Sequence, residues 1–255
     1  MNYTETCNNF AALAQKKALI AKTKPLAFLA GSMLAGAYVG IALILAWTCS
    51  AGLPPGVRPL VNGSVFGIGL VLVILAGAEM FTGHVMYMTF GLAKRTISIS
   101  DALICLVSVW VGNLIGAAIL AALFVNGGGG SILGAPPPYF HDLIVKKETA
   151  SVIALLCRAT LCNWLVCLAI WGAARISNEV GKIWFIAWCL LAFVACGFEH
   201  SVANMTAFSM GTLAGVGTLG GAFYNLGLVT VGNLIGGGIL VAGVYLMAAQ
   251  GEKAA

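Results

Sequence analysis

Two short stretches carry most of the residues able to do chemistry, and both are set in apolar surroundings. Glu79, Thr82 and His84 fall within 77–84; Cys196, Glu199, His200, Ser201 and Asn204 fall within 196–204. A thiol, a carboxylate and an imidazole so close together raise the possibility of nucleophile, base and acid. Neighbouring helical residues point apart, however, so Glu199 and His200 are poor relay partners unless a break redirects them. An intramembrane enzyme is therefore disfavoured. A lone histidine has a different use, because it gains or loses a proton near neutral pH. His200, central in its stretch, reads as a proton-handling residue, whereas His84 reads as hydrogen-bonded support. Glu79 and Glu199 read as carboxylates that hold exposed backbone amides.

The apolar setting follows from composition. Of 255 residues, 60% are hydrophobic and only 8% are charged, and mean hydropathy is +1.00. A soluble domain carries about 25% charged residues, so this chain belongs in lipid. Its formal net charge of +5 does not mark a nucleic-acid partner, because the basic residues are few and cluster at the ends of apolar runs. The eight cysteines (Cys7, Cys49, Cys105, Cys157, Cys162, Cys167, Cys189 and Cys196) form no C-x-x-C pair and read as small packing residues. No metal or cofactor is implied.

A spanning helix needs about 20 mostly apolar residues. Six segments qualify, near 26–49, 60–93, 101–125, 150–174, 183–212 and 222–248. Residues 1–25 show no cleavable signal peptide and read as a cytoplasmic amphipathic segment lying on the membrane surface, with Phe10, Leu13 and Ile20 on one side. The 127–148 loop, with Gly127–Gly130 and Pro136, Pro137 and Pro138, reads as an irregular connection outside the cytoplasmic face. Residues 249–255 form a cytoplasmic tail. With both termini inside, nine basic residues (Lys16, Lys17, Lys22, Lys24, Lys94, Arg95, Arg175, Lys182, Lys253) face three outside (Arg58, Lys146, Lys147). That asymmetry sets the orientation. Arg158 falls inside the fourth span and is expected to reach the interface or a nearby carbonyl.

The second and fifth segments are too long for single spans, and each is interrupted by the polar stretches named above. Irregular backbone at membrane depth is tolerated where it lines a cavity, and two such breaks in matching positions point to a transport site. The positions do match. V-G-N-L-I-G occurs at 111–116 and again at 231–236, an offset of 120. At that offset Gly77 meets Gly197, Glu79 meets Glu199, and His84 meets Asn204. The chain thus divides into repeats of three spans, 26–126 and 149–248. An odd number of spans inverts the second copy. Gly112, Gly116, Gly232 and Gly236–Gly238 read as close helix contacts.

G-A-E-M-F-T-G-H at 77–84, L-C-N-W-L-V-C-L-A-I-W at 161–171, G-F-E-H-S-V-A-N-M at 197–205 and V-G-N-L-I-G-G-G at 231–238 resemble signatures of the formate/nitrite transporter family over about 10–248. T-G-H at 82–84 and C-N-W-L-V-C at 162–167 look closest to its nitrite branch. The resemblance implies an aquaporin-like protomer of six spans in a bacterial inner membrane, assembled as a homopentamer with a pore in each subunit. It implies a cargo of nitrite, formate, hydrosulfide or a similar weak-acid anion. It also carries over residue roles: pore residues Thr82 and Asn163, the central His200, a vestibule Lys147, and apolar constrictions at Phe66, Leu70, Met80 and Phe193. Glu79, Glu199 and Asn204 support the breaks. Met80 stands where formate channels carry leucine, and His84 is absent from them.

These roles fit the physics of an anion crossing an apolar ring. Lys147 would concentrate anions at the outer mouth, half-helix N-termini would add partial positive charge, and Thr82 and Asn163 would replace lost water. Desolvation raises a weak acid's pKa, so the anion could take a proton from His200 and cross as the neutral acid. A neutral-solute channel is the competing transport reading.

Overall fold

The structure, a computed structural model, describes residues 2–134 and 139–252, and these are helical throughout apart from turns and two breaks. Pro136, Pro137, Pro138 and Lys253 lie outside the described residues. The helices run α1 Tyr3–Thr23, α2 Pro25–Ser50, α3 Arg58–Gly77, α4 Phe81–Ala93, α5 Ile99–Asn126, α6 Gly130–Gly134, α7 Tyr139–Glu148, α8 Val152–Arg175, α9 Glu179–Ala195, α10 Ser201–Leu213 and α11 Leu219–Gly251.

Five of these, α2, α3, α5, α8 and α11, are long and apolar enough to cross a membrane. The fifth expected segment, 183–212, is cut at 196–200, leaving α9 with 17 residues and α10 with 13. The second is cut at 78–80, after α3 and before the 13-residue α4. The 127–148 loop differs from expectation, because most of it is helical. Residues 139–148 contain no glycine or proline and start with two aromatics, and Phe140 and Ile144 of α7 are buried. Nothing in that stretch interrupts backbone hydrogen bonding once an apolar side has a surface to cover.

Glycine makes the helix packing close. A Cβ at Gly116 would fall 1.9 Å from the Met33 carbonyl oxygen, and one at Gly236 would fall 2.2 Å from that of Thr160. The α2/α5 and α8/α11 contacts are thus backbone against backbone, the geometry that small residues permit in lipid. Past Gly236, residues Ile235–Gly243 of α11 widen into a π-helical stretch.

The expectation for α1 also changes. Its apolar side packs on the bundle and not on lipid: Cys7, Phe10, Ala11, Ala14, Ala18 and Ala21 are buried. Phe10 stacks with Tyr87, Phe90 and Trp171 at 5.5–5.7 Å between ring centroids. Alanines every three or four residues leave a shallow face that fits against α4 better than it would anchor in lipid. The start of α1 is tied to the chain's other end, where the Glu252 carboxylate accepts from the Tyr3 and Thr4 N–H groups at 2.8 Å each. Those bonds, Thr4's first, hold the Glu252 pKa below the usual carboxylate range. A depressed folded pKa gives a contribution present above the ordinary value and lost as pH falls through the folded one. The first turn of α1 is therefore expected to lose protection of its amide hydrogens on acidification, with exchange measured against the intrinsic rate at each pH. Glu252→Gln should show that weak protection at neutral pH already. Identical exchange in both proteins at every pH would remove Glu252 from this role.

Candidate functional site

The two breaks are built alike. Each has a glycine with positive φ at or just past the end of its preceding helix, +82° at Gly77 and +70° at Gly197, a conformation that costs glycine little. The chain then runs extended to an N-cap, Met80 for α4 and His200 for α10. Both breaks expose amides and carbonyls that need partners away from water. An asparagine in each copy of V-G-N-L-I-G supplies them. Asn113 Oδ1 accepts from the Phe81 N–H at 2.9 Å, while its Nδ2 donates to the Ser32 and Glu79 carbonyls at 2.7 and 2.9 Å. Asn233 Oδ1 accepts from the Ser201 N–H at 3.0 Å, while its Nδ2 donates to Ala159 and Glu199 at 2.8 and 3.1 Å. Both asparagines are fully buried. The repeated motif contains them, yet the glycines around them draw the eye first; only the contacts show what the asparagines bridge.

The carboxylates beside the breaks bond side chains and not the loop amides expected for them. The break N–H of Glu79 donates to the Gly31 carbonyl and that of Glu199 to the Arg158 carbonyl, at 3.0 and 3.3 Å. Each carboxylate meets a lysine from a distant segment. Lys147 Nζ donates to Glu199 Oε2 at 2.8 Å, and Lys17 Nζ from α1 donates to Glu79 Oε1. Sequence reasoning missed Lys17, because 17 and 147 do not share the offset that relates the breaks. Asn204 Nδ2 also donates to Glu199 Oε2 at 2.6 Å and to Asn225 Oδ1 at 2.8 Å. At the matching place His84 turns Nε2 toward Glu79 Oε2 at 3.3 Å.

Three cavities lie in series through these groups. The first, about 440 Å³, is lined by Arg58, Tyr139, Lys146, Lys147, Arg158, Phe193, Glu199 and His200 among others. Arg158 thus lines this cavity. The second, about 570 Å³, is lined by Phe10, Lys17, Glu79, Met80, His84, Tyr87 and Lys182 among others. Between them lies a space of only about 10 Å³, bounded by Val39, Phe66, Leu70, Met80, Val166, Leu190, Phe193 and His200. That is about the smallest volume that holds one water. It shares Phe66, Phe193 and His200 with the first cavity and Met80 with the second. Phe66 meets Phe193 edge to face at 5.5 Å, and Phe193 stacks on the His200 ring at 6.0 Å.

The hydrogen bonds of His200 give its tautomer. Nδ1 accepts from the Ala203 N–H at 3.2 Å, so it carries no proton, and Nε2 faces Thr82 Oγ1 at 3.0 Å. The neutral ring therefore donates from Nε2 to the Thr82 hydroxyl. Thr82 and Asn163 are both fully buried, and neither lines the three cavities. Asn163 spends its amide hydrogens on the Thr82 and Asn233 carbonyls at 3.2 and 2.7 Å. It joins the two breaks behind the wall and does not offer donors to the space inside.

Residues 4–247 match the family model described as Formate/nitrite transporter. The chain belongs to that family. It is accordingly a multi-pass membrane transport protein and not an enzyme. It is 44% identical to the nitrite transporter NirC of Escherichia coli K12, over 94% of this chain and 90% of that protein. It is similar to a solved FNT family ion channel, with a TM-score of 0.91 and 43% identity over 96% of this chain and 99% of that one. It is also similar to a pentameric formate channel with formate bound, with a TM-score of 0.74 and 25% identity over 90% and 99% of the two chains.

Proposed function

We propose that this protein is a channel for small monovalent weak-acid anions, nitrite foremost, with the three cavities as its path. One observation carries the reading: two vestibules with lysine-bound carboxylates flank an apolar space of about 10 Å³ bounded in part by His200. Identity to nitrite transporters supports nitrite as cargo, and the likeness to a formate channel keeps formate within the same mechanism. The recurrence of the break contacts at an offset of 120 supports an inverted three-plus-three repeat of six spans, with α9, the break and α10 together making the fifth. The pentameric relative supports a homopentamer. The excess of Lys and Arg near α1 and the 94–95 and 175–182 turns supports an inner-membrane protein with cytoplasmic termini. The first vestibule then opens outward and the second, beneath α1, inward.

Arg58, Lys146 and Arg158, beside a Lys147 balanced by Glu199, make the first vestibule attractive to an anion. The anion sheds water against Phe66 and Phe193, a loss of several kcal/mol unless it is offset. His200, whose ring bounds the small space, is the titratable group at that step. His200 donates its Nε2–H while neutral. To pass a proton to the anion it must first become imidazolium, and an Nδ1–H then displaces the Ala203 N–H bond. An approaching negative charge favours that state. The conducted species would cross between Leu70, Leu190 and Met80 as the neutral acid.

The test is reconstitution in liposomes with internal pH followed after jumps of nitrite, formate and hydrosulfide. Saturable uptake with nitrite fastest is expected. Comparable rates for all three would make this a general weak-acid channel, and no uptake by folded protein would overturn the reading.

A further inference from the structure

The two vestibules differ at the residue that faces the break carboxylate. In one, Asn204, a side chain with no ionisable group, donates to Glu199. In the other, His84 stands in the same place against Glu79. The proton inventory there follows from geometry. His84 Nδ1 lies 3.0 Å from the Met80 carbonyl oxygen, which can only accept, so Nδ1 carries a proton. Nε2 faces Glu79 Oε2 at 3.3 Å and makes no well-aligned hydrogen bond among the described residues. Two lone pairs cannot face each other in a buried site without cost, and His84 is only 1% exposed. A proton between Nε2 and Oε2 removes the conflict, whether it rests on the ring or on the carboxyl.

We propose that His84 and Glu79 share one exchangeable proton, and that this proton sets the charge of the second vestibule and hence the rate at which anions enter from that side. The inference rests on the transport reading above. With the proton present, Lys17, Glu79 and His84 together carry one positive charge; without it they carry none. The matching cluster of Lys147, Glu199 and Asn204 stays neutral in either case. The other groups facing His84 do not cancel the effect. Lys182 of α9 lines the vestibule but is bonded to Glu179 at 2.8 Å. Tyr87 offers its ring at 5.4 Å, and Phe28 of α2 offers an edge at 5.8 Å. Cys105 of α5 is a buried thiol, and Cys167 of α8 bonds the Thr82 carbonyl. Acidification on this side therefore adds an attractive charge at the mouth, while the same change at the first vestibule leaves its break cluster as it was.

The test has two readouts. In protein labelled with ¹⁵N-histidine and held in lipid, the resonances lost in His84→Asn belong to His84. They are expected to show a ring protonated on both nitrogens, or one hydrogen-bonded to a carboxylic acid, in acidified samples and a ring with Nδ1–H alone in basic ones. An unchanging signal across the samples overturns the proposal, as does a neutral ring protonated on Nε2. In vesicles sorted for one insertion direction, acidifying the face next to the second vestibule should raise entry of a fixed anion gradient by about three- to tenfold. His84→Asn, which copies the other half, should still conduct and show only the rise that acidifying the opposite face gives. Glu79→Gln should do the same. Retention of the full wild-type rise in both variants overturns the proposal. If the wild type passes no anion at all, the transport reading falls, and the resonance titration still decides where the proton is.

Discussion

Asn233→Ala is expected to unfold about 10 °C below the wild type in detergent and to lose saturable anion flux. The side chain satisfies the Ser201 N–H and the carbonyls of Ala159 and Glu199, and alanine would leave all three without it in a buried site. Each buried group left unpaired costs about 1–3 kcal/mol, and at least about 3 kcal/mol in total maps to roughly 10 °C for a chain of this size. The flux should fall further than stability alone explains. The Ser201 N–H bond fixes the first turn of α10, and that turn carries His200 at the constriction. Asn233→Asp tests the distinction. It keeps the acceptor for Ser201 but sets a carboxyl oxygen against the Ala159 and Glu199 carbonyls, so it should be no more stable than Asn233→Ala and should not regain the wild-type rate. An Asn233→Ala protein that melts and conducts as the wild type does would mean that the break is held by its packing alone.

His200→Phe should alter the pH profile of nitrite and formate uptake far more than the ratio between them. The variant removes the donor to Thr82 and the acceptor for Ala203, and it fills a space of about 10 Å³ with a ring that cannot exchange protons. A rate loss of at least about tenfold is expected where proton exchange limits passage. The small space rejects both anions for the same reason, their hydration, so their relative rates should stay within about twofold. His200→Asn separates the parts, because it keeps polar capping at α10 without a titratable ring. If His200→Phe keeps the wild-type rate and pH profile, the central histidine is a cap and takes no part in proton transfer.

Much of the architecture could be read before any coordinates. The 60% apolar composition assigned the chain to lipid, because polar backbone there must be satisfied within helices. The two over-long segments announced the breaks, and the shared motif set their correspondence. Glu79, Thr82, His200 and Lys147 were all legible as residues of interest. Their contacts were not. Lys17 sits in a segment that seemed destined for the membrane surface, and its bond to Glu79 depends on the alanine face of α1 fitting α4. Asn163 was expected to offer donors to the path, yet both its amide hydrogens bind backbone behind it. Arg158 reads from sequence as reaching the interface or a carbonyl, and the fold adds that it lines a vestibule.

Local sequence therefore determined the elements and their interruptions, since hydrophobic length, glycine at positive φ and capping residues act over a few neighbours. Tertiary structure decided which polar atom meets which. Glu79 and Lys17 lie 62 residues apart and Thr82 and His200 lie 118 apart, and no local preference encodes such a meeting. The difference between His84 and Asn204 shows the same division. The sequence places a histidine and an asparagine at equivalent positions, but only the fold sets each against a carboxylate, where one is a fixed donor and the other can hold a proton.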